Sequence, residues 1–282
     1  MDPVVFTLVL ASAVLHASWN ALIKIGGDPW VRLAMITLLG VVFGLVFLPF
    51  IPFPNAEAWP YLLSTIAIHQ LFFIFVCLQY RYGDLSHVYP ISRGVAPLMV
   101  AFGAYMFAGE TLSPQGIAAV VMISGAILSL TFSTARKPDE GKAVVFALCT
   151  GITIATYSVI DGLGARTTND LISYIIYLMV LDGLPFGLVV MFLRRHVFMD
   201  SLRTNWKTSV TSSLLIFPAY SLTIWAMTKS PITYVSALRE TSVIIAVLIG
   251  TRMMGEPFGA RRLIAGALVV VGVAVLQFSK TP

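Results

Sequence analysis

The chain has 282 residues, 58% of them hydrophobic and 11% charged, with a mean hydropathy of +0.89, whereas a soluble domain carries about 25% charged residues. Its apolar stretches recur from end to end, which excludes a soluble enzyme with a single anchor and makes the lipid bilayer its solvent. At about 20 residues per crossing the length allows roughly ten or eleven helices and no extramembrane domain; the 18 basic and 13 acidic residues are scattered over short loops, as orientation in a membrane requires and nucleic-acid binding does not.

Apolar runs between charge, Pro and Gly punctuation predict ten spans, at residues 4–24, 31–51, 59–80, 84–107, 115–134, 142–163, 171–193, 208–228, 231–251 and 262–279. The first starts at Val4 with no basic segment before it, and reads as a retained helix and not a cleaved signal. Cys77 and Cys149 each lie in an apolar run and read as packing residues, with neither metal-ligand spacing nor a disulfide framework. The hydrophilic interruption Arg136-Lys137-Pro138-Asp139-Glu140-Gly141-Lys142 is a linker, dividing residues 1–135 from residues 143–282.

The two halves match at several landmarks. Ala17-Ser18-Trp19-Asn20 in span 1 corresponds to Ala155-Thr156-Tyr157-Ser158 in span 6, and Gly40 and Gly44 in span 2 correspond to Gly183 and Gly187 in span 7. Glycines four apart put two small residues on one face, a signal for close helix contact. Gly109-Glu110 corresponds to Gly255-Glu256, and the same offset superimposes Arg93 on Arg239. Because five is odd, the second half enters the membrane from the opposite side, so the fold class predicted is an all-α membrane protein of two inverted five-helix repeats. Loops after odd-numbered spans hold 13 of the 18 basic residues, and the other face holds three, Arg166, Lys229 and Lys280. The asymmetry puts the odd loops in the cytoplasm and both termini in the periplasm.

Ionisable groups inside spans persist only against a cavity or a partner. Span 1 carries Ala13, His16, Asn20 and Lys24 on one face with Trp19 beside it, and span 6 repeats a polar stripe as Thr150, Thr153, Tyr157 and Asp161. These stripes either line a path through the bilayer or bond helix to helix. Span 4 holds Tyr89, Ser92 and Arg93 between Pro90 and Pro97, which predicts a kink or an unwound turn there. Span 9 places Ser236, Arg239 and Glu240 at the same level without a proline. Arg239 either takes the carboxylate of an amino acid, with Glu240 or Asp182 taking its ammonium group, or is a structural charge paired within the bundle. Tyr89, Tyr157, Tyr220, Trp225 and Trp19 offer a substrate wall or simple packing, whereas Trp30, Trp59 and Tyr80 near span ends read as belt residues. His69, near the centre of span 3, either couples transport to protons or bonds a neighbouring helix.

Ten spans in two five-helix repeats, the run His16-Ala17-Ser18-Trp19-Asn20-Ala21-Leu22-Ile23-Lys24 and a Gly-Glu before the last helix of each half resemble the EamA-type drug/metabolite transporter superfamily, and within it the YddG-type aromatic amino-acid exporters. The resemblance implies secondary export of small metabolites, amino acids above all, through a central cavity in a bacterial inner membrane, without cofactor or metal. It implies a monomer or weak homodimer, and for some members both termini in the cytoplasm, against the charge count. A drug, sugar or nucleotide-linked substrate is the alternative on the same fold, and a non-transporting receptor or scaffold is the alternative in another class. No GxxxxGK[ST], HExxH or GxSxG occurs, so the chain reads as neither an ATP-driven pump nor a hydrolase.

Overall fold

The computed structural model describes residues 1–23, 27–83, 85–133, 140–245 and 260–279. Expectations resting on Lys24, Asp84, linker residues 136–139, residues 246–251, Gly255-Glu256 and Lys280 lie outside the described residues. The helices are α1 (Pro3–Ile23), α2 (Pro29–Phe47), α3 (Trp59–Tyr82), α4 (Leu85–Ala108), α5 (Pro114–Ser129), α6 (Glu140–Thr167), α7 (Leu171–Leu193), α8 (Arg195–Lys229), α9 (Ile232–Arg239, with residues 241–245 helical beyond Glu240) and α10 (Ala260–Phe278). Among the described residues there is no strand. Seven helices, α1 to α4 and α6 to α8, are long and apolar enough to cross a membrane, and two shorter apolar helices run over Pro114–Ser129 and Leu263–Phe278.

Several helix starts are written in the sequence as a capping residue followed by proline. Asp2, Asp28 and Ser113 precede Pro3, Pro29 and Pro114, and their side chains accept from Val4 N at 2.8 Å, Trp30 N at 2.9 Å and Gly116 N at 3.2 Å. The cap satisfies an otherwise orphaned N–H, and proline at the first position has no N–H to orphan. Two elements depart from the predicted spans. The helix of span 8 begins at Arg195, thirteen residues before the apolar run, because its polar turns need only local hydrogen bonding to be helical. Of the kink or unwound turn expected in span 4, the unwound turn does not occur, since α4 stays helical through Pro90 and Pro97. The break falls instead in span 9, where Glu240 N bonds Ala237 O and Val243 N bonds Glu240 O, both tightened i→i+3 contacts.

The packed pairs form related sets. Helix α1 packs on α8 and α9 as α6 packs on α3 and α4; α2 packs on α8 as α7 packs on α3; and α2 with α7, α4 with α9 and α5 with α10 join counterparts five helices apart. The glycine pairs act in one of these contacts. A methyl added at Gly183 would lie 2.6 Å from the Thr37 carbonyl oxygen, one at Gly187 2.5 Å from Leu38, and one at Gly44 2.5 Å from Val180, so α2 and α7 touch through both pairs. Gly183→Leu would force the two backbones apart and is expected to cost about 1–3 kcal/mol or more, read as a lower melting temperature of the purified protein.

Large apolar side chains such as Val46, Phe102, Phe107, Phe192 and Val270 face outward, as lipid contact demands, while small residues and hydroxyls fill the interior. Ser12 Oγ, for example, donates to Ala219 O at 2.6 Å across α1 and α8. Loops after odd-numbered helices meet one another, with Asp28 paired to Arg194 and Lys142 over the Tyr82 ring. Loops after even-numbered helices meet at the other end, where Asn55 donates to Thr167 O and Glu110 pairs with Arg166. Trp30 lies under Arg194 at the first end and Trp59 packs against Phe53 and Tyr177 at the second, the positions expected of belt residues.

Candidate functional site

Two groups of buried charge lie inside the bundle. The first is carried by α4 and the break after α9. Gly151 lets α6 close on α4, since a methyl there would sit 2.8 Å from the Ser92 carbonyl oxygen, and this sets Arg93 beside Tyr157. Arg93 Nη2 lies 2.9 Å from Glu240 Oε1, and the two residues are 4% and 2% exposed. Each ion costs several kcal/mol to desolvate, and only the partner repays it. Arg239 is 5% exposed, yet among the described residues no carboxylate lies within salt-bridge distance of it and its Nε has no hydrogen-bond partner. Its guanidinium carbon stands 6.0 Å from the centre of the Tyr220 ring, a cation–π contact.

The second group joins four helices. Asp182 of α7 has its Oδ1 3.3 Å from His69 Nδ1 of α3 and 3.2 Å from Gln70 Nε2. His69 Nε2 lies 3.4 Å from the Tyr220 hydroxyl of α8. Tyr220 donates to Asp161 Oδ2 of α6, and Tyr174 of α7 donates to Asp161 Oδ1 at 3.1 Å. The Tyr157 ring packs edge-on to His69 at 4.2 Å, with Phe72 at 5.5 Å and Tyr220 at 6.1 Å. Tyr157 also interacts electrostatically with Arg239, Arg93, Asp161 and Glu240, so it stands between the two groups.

Residues 141–278, from the start of α6 to the end of α10, match the model of the EamA-like transporter family. This part of the chain is an EamA-like domain. A solved crystal structure shares the protein's fold, with a TM-score of 0.78 over 98% of this chain and 96% of that one; at 16% identity it shows the fold alone. No curated protein matches.

The EamA segment supplies Tyr157, Asp161, Asp182, Tyr220, Arg239 and Glu240, while His69 and Arg93 come from the half before it. Of the residues expected from sequence, His69, Tyr157, Tyr220, Arg93, Arg239 and Glu240 converge. His16 faces Arg93 and Arg239 electrostatically, but its own contacts are local: Trp19 Nε1 donates to its Nδ1 at 3.3 Å and Asn20 Nδ2 to its carbonyl at 2.8 Å. Tyr89 and Trp225 pack against the largest apolar cluster, but Tyr89 also interacts electrostatically with Arg93, Glu240 and Arg239 and so stands with the first charged group. Helices α1 and α6 are not packed on one another, and Thr150 and Thr153 bond carbonyls of their own helix, whereas Asp161 of the same stripe ties α6 to α7 and α8. Asp161 and Asp182 complete the arrangement; the rule that selects intramembrane arginines selects these carboxylates equally.

Proposed function

We propose that this protein is a ten-span secondary transporter of two inverted five-helix halves, exporting small metabolites, most specifically aromatic and other apolar amino acids, by alternating access about a midplane site. The observation that carries the reading is Arg239, a buried guanidinium whose neighbouring carboxylates are already held by other residues. A site that desolvates a cation beside an aromatic cluster suits a ligand bringing its own carboxylate and an apolar body. The relation between helix pairs five apart supports two equivalent halves, and the gathering of odd loops at one end and even loops at the other supports alternating traverses. On the positive-inside count, the odd-loop end is cytoplasmic and the membrane a bacterial inner membrane.

The test is ligand stabilisation followed by flux. Amino acids with aromatic or branched side chains raise the melting temperature of the purified protein, by about 2.7 kcal/mol of stabilisation at a hundredfold excess over Kd, while sugars and nucleotides leave it unchanged. The stabilising compounds then exchange across reconstituted vesicles. Stabilisation by sugars or nucleotides alone would move the substrate class, and binding without exchange would make the protein a receptor.

A further inference from the structure

Resting on that transport reading, we propose that Asp182, His69, Tyr220 and Asp161 form a site for one exchangeable proton that travels with the substrate. Hydrogen counting carries the argument. Tyr220 has a single hydroxyl hydrogen and spends it on Asp161, so its oxygen can only accept from His69 Nε2, and that nitrogen carries a hydrogen. A neutral ring so protonated would turn the bare Nδ1 toward Asp182 Oδ1, 3.3 Å away. One added proton, on Nδ1 or on the Asp182 carboxyl, converts that repulsion into a hydrogen bond.

Among the described residues, the charges of the two buried groups require the same proton. Arg93 and Arg239 supply two positive charges, while Glu240, Asp161 and Asp182 supply three negative ones, and one proton brings the set to zero. Among the described residues, no other helix alters the count at His69. Helix α6 presents Asp161 and Tyr157, α7 Asp182, α8 Tyr220, and α4 Arg93 behind Tyr157. The ionisable group of α2 is Arg32 in its first turn, donating to Leu22 O, and the turn before α3 holds only the exposed Glu57. Arg239 reports to this site through the Tyr220 ring. A substrate carboxylate arriving at Arg239 adds negative charge beside the chain of hydrogen bonds and so favours proton uptake, and by linkage the proton favours the carboxylate. Substrate and proton therefore bind together and move in the same direction, export being driven by the substrate's own outward gradient. The proton is taken from water on one side and returned to water on the other, with no redox step.

The experiment loads vesicles containing the purified protein with labelled L-phenylalanine, clamps the membrane potential with potassium and valinomycin, and compares efflux with and without an interior one pH unit more acidic. One proton per substrate drives the internal level down about tenfold further at equilibrium. Asp182→Asn loses this response when measured against its own exchange rate, and His69→Gln, should the first variant not fold, is read in the same way. Wild-type exchange indifferent to the gradient overturns the coupling alone. A full response in both variants overturns the site. No exchange of phenylalanine or any other proteinogenic amino acid overturns the transport reading and the coupling with it.

Discussion

Arg239→Gln is expected to lower the initial rate of amino-acid exchange about 10- to 100-fold while leaving the protein folded and in the membrane. The magnitude follows from losing a hydrogen-bonded charge contact of about 1.5–3 kcal/mol to the substrate carboxylate, at about 1.4 kcal/mol per tenfold. The stability half of the expectation comes from the surroundings. Glu240 is held by Arg93 and Asp182 by His69, so removing Arg239 leaves no described carboxylate without its partner. Its repeat counterpart behaves in the opposite way. Arg93→Gln strands Glu240 at 2% exposure, and breaking a buried pair from one side costs about 3–5 kcal/mol. On the proposed transport reading, two arginines matched by one sequence offset thus separate a binding role from a structural one. Paired measurements of melting temperature and exchange rate decide the matter: a large stability loss with Arg239→Gln, or unimpaired exchange, would remove Arg239 from the site.

Much of this arrangement is legible before any coordinates. Hydropathy and punctuation place α2, α3, α4 and α7 within a few residues of their observed ends, because those boundaries coincide with a cap, a proline or a charge. The glycines at 40, 44, 183 and 187 announce close packing, although only the structure shows that the two pairs meet each other. Helix α8 is less legible, since its first thirteen residues are helical without being apolar and hydropathy detects only the bilayer-crossing part. The position of the break is misleading in sequence. Pro90 and Pro97 predict it in α4, but packing accommodates both prolines within a continuous helix, and the turn tightens at Glu240, where a buried carboxylate meets Arg93 across the bundle. Partner choice is the least legible feature. The charged residues Arg93, Asp161, Asp182, Arg239 and Glu240 are visible as a set in the spans, yet whether Glu240 pairs with Arg239 beside it or with Arg93 on another helix depends on helix rotation, to which the intervals along the chain are blind.

Glu110→Ala is expected to destabilise the protein by roughly 2 kcal/mol, with the ion-pair part discounted because the Arg166 side chain is 32% exposed, and to open the end of the bundle that holds the even loops. Gly109 ends α4 at φ +65°, a conformation that glycine adopts without steric cost, and the Glu110 N–H turns back to Ala104 O at 3.1 Å. The turn aims the carboxylate at the start of α9. Oε1 accepts from Ile232 N at 2.7 Å and Arg166 Nη2 at 2.8 Å, and Oε2 accepts from Thr233 N at 3.2 Å. One side chain thereby caps the helix that carries Arg239, satisfying two N–H groups where the helix dipole favours negative charge. Arg166 ties the same knot to Met227 O and Ser230 O at the end of α8. The contact joins the α4–α5 corner to α6, α8 and α9, so under alternating access it must part whenever this end opens. Removing about 2 kcal/mol from the closed form shifts that equilibrium about 30-fold. In a chain carrying Cys77→Ala and Cys149→Ala, a cysteine introduced by Ser230→Cys should react with a membrane-impermeant maleimide correspondingly faster once Glu110→Ala is added, and Glu110→Gln, which keeps one acceptor oxygen, should fall between. Equal labelling rates with a lowered melting temperature would make Glu110 a helix cap alone, with no part in gating.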